Sequence, residues 1–96
     1  MDFDWDPEKA KANLDKHGIS FGEVTELFLS GRDFLEIYDE DPSHTEDRFI
    51  AIGRIAKRIV VVVYAERPED TIRVISARPA TRQEIELYRK HEVRPR

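Results

Sequence analysis

The longest apolar run in the chain, Ile59-Val60-Val61-Val62-Val63-Tyr64-Ala65, sets the fold class. Its four adjacent valines are β-branched, lose rotamer freedom in a helix and pack well on a pleated surface. No polar residue alternates with them, so the run predicts a central strand covered on both faces. It falls far short of the roughly 20 residues that cross a bilayer. With 96 residues there is room for one modest core, and we read residues 1–96 as a single domain.

The segments around this strand have their own signals. Phe3 and Trp5 alternate with Asp2, Asp4 and Asp6, the period of a short half-buried strand. Asp6-Pro7 opens a helix in which Ala10, Leu14 and His17 share a face, and Gly18 is its natural left-handed stop. Ser20 and Glu23 form a capping box for a second helix, with Phe21, Val24, Leu27 and Phe28 inward and Gly31 at its end. Phe34 to Tyr38 reads as a strand, and Asp39 to Asp47 as an exposed acidic loop. Phe49–Ile55 and Ile59–Ala65 flank a short turn at Ala56-Lys57 and predict a hairpin, although Ala-Lys suits the favoured primed turns poorly. Arg67 to Asp70 turns the chain into a strand over Thr71–Ala77. Thr81 and Glu84 are a second capping box, starting a helix that runs to about His91, and the tail 93–96 is expected to fray. The order is β-α-α-β-β-β-β-α, an α+β domain with a small antiparallel sheet, two N-terminal helices and one C-terminal helix.

Composition removes several function classes. Apolar residues make up 40% and charged ones 38%, which excludes a disordered chain and a helical membrane protein. The acidic N-terminus is wrong for a leader, and zero cysteines exclude disulfides and thiolate-held zinc. We therefore expect a cytoplasmic domain. The four glycines are scattered, so no phosphate loop exists, and three dispersed histidines do not make a metal site.

Charge is divided unevenly along the chain. Residues 1–47 carry four cations against fourteen acids, a balance of −10, and residues 48–96 carry twelve against six, a balance of +6. The second half can offer phosphate a basic surface, or the halves can simply neutralise one another.

Arg67, Arg73, Arg78 and Arg82 gather near the end of the sheet, ahead of Glu84, Tyr88 and His91 at i, i+4, i+7 on one helix face. Metal-free RNA cleavage requires a base for the 2′-hydroxyl, a cation for the phosphorane charge and a proton donor for the 5′-oxygen. Arginine supplies the cation in planar, bidentate form, and Glu, His, Tyr or Lys can supply the others. Each residue also has a structural reading: Glu84 as a capping carboxylate, Tyr88 as core, His17 as a helix-end partner of the dipole, Arg73 as a solvated strand face. Arg54, Lys57 and Arg58 around the turn can simply blunt an edge.

Several separated blocks together resemble a known family. They are Trp5-Asp6-Pro7-Glu8-Lys9 with Asn13, Lys16-His17-Gly18-Ile19-Ser20-Phe21, Arg48 with Ile52-Gly53-Arg54, the valine strand, Arg67, and Arg73-Val74-Ile75-Ser76-Ala77-Arg78 with Ala80, Glu84 and Tyr88. In this order they resemble the BrnT toxins of bacterial type II toxin–antitoxin systems. The resemblance implies a RelE-like fold and a metal-independent endoribonuclease that inhibits translation. It also implies a ribbon-helix-helix antitoxin of the BrnA kind, through which alone the complex would meet DNA. On this reading Arg67, Arg73, Arg78, Glu84, Tyr88 and His17 are catalytic candidates. Lys16, Arg48, Arg54, Lys57 and Arg82 are RNA-binding candidates. No metal and no cofactor is expected, and whether the RNA is free or on the ribosome stays open. The alternative is a non-catalytic binding module that pairs with a DNA-binding regulator.

Overall fold

The computed structural model describes residues 1–31, 33–43 and 45–92. Arg32, His44 and the tail 93–96, for which fraying was expected, lie outside the described residues. The elements are β1 (Asp2–Asp4), α1 (Pro7–His17), α2 (Phe21–Leu29), β2 (Leu35–Asp39), β3 (Arg48–Ile55), β4 (Arg58–Arg67), β5 (Thr71–Pro79) and α3 (Arg82–Glu92). The start and stop chemistry is as expected. The Asp6 carboxylate accepts from the Glu8 amide at 2.9 Å, and Gly18 ends α1 at φ 69°. Ser20 and Glu23 bond reciprocally at the start of α2.

The sheet order is β1-β5-β4-β3-β2. Strands β2 to β5 form the expected antiparallel meander. β1 departs from that pattern: it lies parallel to β5, with Asp4 opposite Arg73, so the sheet is mixed. The whole meander separates β1 from β5 in sequence, so no local turn dictates its direction.

Alternation along β4 sorts the layers. Val60, Val62 and Tyr64 face α1 and α2 and join Ile19, Phe21, Val24, Leu27, Ala51 and Val74 in the main core. Val61 faces the other way and packs with Ile52 and the buried Tyr88 of α3 in a second, smaller core. Gly53 leaves room for α2 and Phe34 against the sheet, since a Cβ there would run into Leu27 and come within 2.9 Å of the Phe34 Cβ. In β5 the register shifts opposite the Val63–Tyr64 step, with Val63 paired to Ser76 and Tyr64 to Val74. The extra residue, Ile75, lets Val74 and Ala77 both point into the main core while Arg73, Ser76 and Arg78 share the opposite face.

The β3–β4 hairpin closes in regular register, Ile55 opposite Arg58, although its turn residue Ala56 takes a left-handed φ of 55°. A Cβ is unfavourable there and glycine is not. Ala56→Gly is expected to raise stability by about 1 kcal/mol, read as a shift of the urea midpoint at constant m.

Candidate functional site: an arginine-walled trough

The sheet face opposite α1 and α2 is only partly covered. α3 sits at one end, Tyr88 over Ile52 and Val61. Beyond it, register lines Ile37, Ile50, Val63 and Ser76 in a row across four strands, and the last three are half-buried. These three form a half-buried strip of the open face, called the trough below. The next row holds Arg48, opposite Asp39 on β2, and Arg73, between Ala65 and Asp4. Arg67 lies one row further out, opposite Thr71, and Arg78 lies at the α3 end, opposite Val61. Strand alternation thus brings Arg48, Arg67, Arg73 and Arg78 to one face, with Arg73 and Arg78 roughly 13 Å apart along the sheet, at about 3.3 Å per residue.

Three of these guanidinium groups have carboxylate partners. Arg67 meets Glu46 at 2.8 Å, and Arg73 meets Asp4 at 2.6 Å. Arg78 grips Glu84 through both nitrogens at 2.7 Å each and also donates to the Pro79 carbonyl at 3.2 Å. Arg48 differs: its Nε is buried and has no hydrogen-bond partner among the described residues. The partnered arginines are 31–42% exposed. The Arg67 and Arg73 pairs are single exposed contacts, of a kind that contributes only about 0–1 kcal/mol, so an incoming phosphate can compete for their donors.

Glu84 serves two purposes. It completes the capping box of α3, its Oε1 accepting from the Thr81 amide at 2.8 Å, while both its oxygens hold Arg78. The Arg78 guanidinium, helped by the Thr81 amide and opposed by partial burial, holds its carboxyl at about 2. A carboxylate so acidic is ionised throughout the neutral range and is poorly matched to moving a proton. In this structure it caps α3 and holds Arg78. Because this pKa is depressed on folding, Glu84 stabilises the fold above its unfolded value, near 4.5. That contribution is lost as pH falls from there toward about 2. The stability difference between the native chain and Glu84→Gln is expected to be full at pH 6 and to vanish across that acid window, followed by urea unfolding at each pH.

The other sequence candidates separate. Tyr88 is 2% exposed, and burial pushes its phenol up. It anchors α3 and is no accessible proton donor, because the i+4 spacing from Glu84 turns it onto Ile52 and Val61. Arg54 points to the same sheet face but lies under α3, 5.8 Å from the Tyr88 ring centroid and 3.5 Å from Glu92. His17 is half-buried on α1, in the layer covering the other face, and no described hydrogen bond or ion pair ties it to the arginines. Lys16, on that same helix, Lys57, in the β3–β4 turn, and Arg82, in the first turn of α3, are exposed and outside the trough.

Asn13, which entered above only among the residues that carry the family resemblance, has a structural part that its uncharged side chain did not signal. It is 8% exposed; its amide nitrogen donates to the Ile19 carbonyl and its oxygen accepts from the Ala77 amide, both at 3.0 Å. It holds the stretch of β5 between Ser76 and Arg78 against α1. The carboxylates facing the arginines, Asp4 and Glu46, gave no pairing signal either, because each lies far along the chain from its arginine.

The family model described as the ribonuclease toxin BrnT of type II toxin–antitoxin systems matches residues 5–84. The chain belongs to the BrnT family. Among solved structures, the BrnT ribonuclease toxin of Brucella abortus is similar at a TM-score of 0.66 and 30% identity, over 85% of this chain and 99% of that one. No curated protein sequence matches the chain. BrnT toxins belong to type II toxin–antitoxin systems, so membership assigns the chain as a ribonuclease toxin with an antitoxin partner. The α+β fold in the order β-α-α-β-β-β-β-α matches that of the Brucella BrnT. No helix among the described residues is long and apolar enough to cross a membrane.

Proposed function

We propose that this BrnT-family chain is an endoribonuclease that cleaves single-stranded RNA lying in the trough, without a metal. The observation that supports the proposal is that strand register places Arg48, Arg67, Arg73 and Arg78 on the one sheet face that α3 leaves partly uncovered. In the reaction the 2′-oxygen bonds to phosphorus and the bond from phosphorus to the 5′-oxygen breaks, leaving a 2′,3′-cyclic phosphate and a 5′-hydroxyl. One proton leaves the 2′-hydroxyl and one joins the 5′-oxygen, both exchanged with water. Arg73 and Arg78 meet the non-bridging oxygens as charge builds on them, a role that a divalent ion would otherwise fill. Arg67 and Arg48 hold the neighbouring backbone, and the half-buried Ile50 and Val63 offer bases an apolar surface.

Cutting messenger RNA in the cytoplasm would lower translation and slow growth. The antitoxin of this reading is a ribbon-helix-helix protein whose complex with the toxin binds operator DNA. Purified chain is expected to cleave RNA in excess EDTA and to leave cyclic-phosphate ends. If it is inert on both free RNA and translating ribosomes while Arg73→Ala remains as toxic to cells, the reading is wrong and the non-catalytic alternative takes its place.

A further inference from the structure

The two edges of the sheet differ. β1 has three residues, whereas β2 presents five, in unbroken one-to-one register with β3 and with no strand on its outer side among the described residues. A regular edge with unpaired amides and carbonyls is a template for another strand. Proteins often blunt such edges with lysine, proline or a bulge, and β2, Leu35-Glu36-Ile37-Tyr38-Asp39, has none of these. It exposes large apolar groups instead, Ile37 at 39% and Tyr38 at 50%, one on each side of the sheet because they are consecutive. Charge then selects the occupant. Residues 33–47 carry seven acids and no lysine or arginine. At the end of β2 an open hollow of about 340 Å³ is lined by Tyr38, Glu40, Glu46 and Asp47, among others. RNA is repelled by such an edge, and a cationic strand is drawn to it.

We propose that the antitoxin docks by adding an extended, lysine- or arginine-bearing segment as a sixth strand along β2, with a basic side chain seated in the acidic hollow. Main-chain hydrogen bonds supply the affinity, and the side chains falling on Ile37 and Tyr38 supply the register. The added strand would lie about 4.8 Å outside β2, at the rim of the trough. The inference rests on the toxin reading only in taking the partner to be an antitoxin.

The test uses the full chain and the products of the reading frames flanking its gene, of which the antitoxin is the one that restores growth when co-expressed. Hydrogen exchange of the purified complex is expected to show new protection of the outward-facing amides within residues 35–39. Glu40→Lys is expected to weaken antitoxin binding roughly tenfold, and Tyr38→Lys/Glu40→Lys roughly 100-fold. Cleavage of free RNA by the variants should be unchanged, which also shows that they are folded. An antitoxin that binds both variants normally and leaves the β2 amides exchanging freely overturns the docking site while the nuclease reading stands. Protection of β2 in the isolated chain that disappears on dilution assigns the edge to a second copy of the chain and overturns it too. If neither flanking product binds, the docking site and the antitoxin fall together, whatever the chain does to RNA.

Discussion

Asn13→Leu is expected to cost the fold about 3 kcal/mol, because it leaves two buried backbone groups without partners at about 1–3 kcal/mol each. The reason lies in the mismatch between two strands. β1 pairs with β5 only over Thr71 to Arg73, yet β5 continues to Pro79. Past Arg73 the outer edge of β5 has lost its neighbour, and the Ala77 amide points at α1. The Asn13 oxygen takes that amide, while the Asn13 nitrogen closes onto the Ile19 carbonyl beyond the end of the helix. Leucine fills a similar space but offers neither bond. For a domain of this size the loss corresponds to a fall in melting temperature of about 12–24 °C, at roughly 4–8 °C per kcal/mol. Thermal unfolding of the variant checks it. A variant that melts within a few degrees of the native chain would show that water replaces the asparagine.

Arg78→Ala is expected to lower the rate of RNA cleavage by about 100- to 1000-fold, the loss typical of removing one preorganised donor from developing negative charge. Arg78→Lys should recover only part of that, since an ammonium cannot match the planar fork. Arg78 is the best preorganised cation of the trough: Glu84 fixes it through two bonds and is itself fixed by the Thr81 amide at the start of α3. Single-turnover cleavage of a defined oligonucleotide, compared with the urea midpoints of the same variants, separates chemistry from stability. If Arg78→Ala folds and cleaves at the native rate, the cation at phosphorus must be another arginine.

Local signals carried much of the fold. The valine run names the central strand, and Asp6, Gly18, Ser20, Glu23, Thr81 and Glu84 mark helix ends through bonds that span only a few residues. The capping role of Glu84 was readable for that reason, and its second role, holding Arg78 six residues away, was half-readable. The division of charge was visible too, though its meaning was not, since the acids of the first half both pair with trough arginines, as Asp4 and Glu46 do, and line the β2 edge. Tyr88 shows the opposite case. Its spacing from Glu84 suggested a shared catalytic face, but α3 turns the phenol onto Ile52 and Val61.

What the sequence by itself determined is the set of elements and, through the period of two along each strand, which side chains leave a strand together. Ile72 and Val74 flank Arg73, so the arginine must leave by the face opposite to the core. Only the tertiary structure decided which strands stand side by side, that β1 runs parallel to β5, and that α3 covers one end of the face and leaves the arginine end open. Those outcomes depend on contacts between residues tens of positions apart. Their free energy comes from burying apolar surface in common, which is non-directional and leaves no pattern in either segment alone.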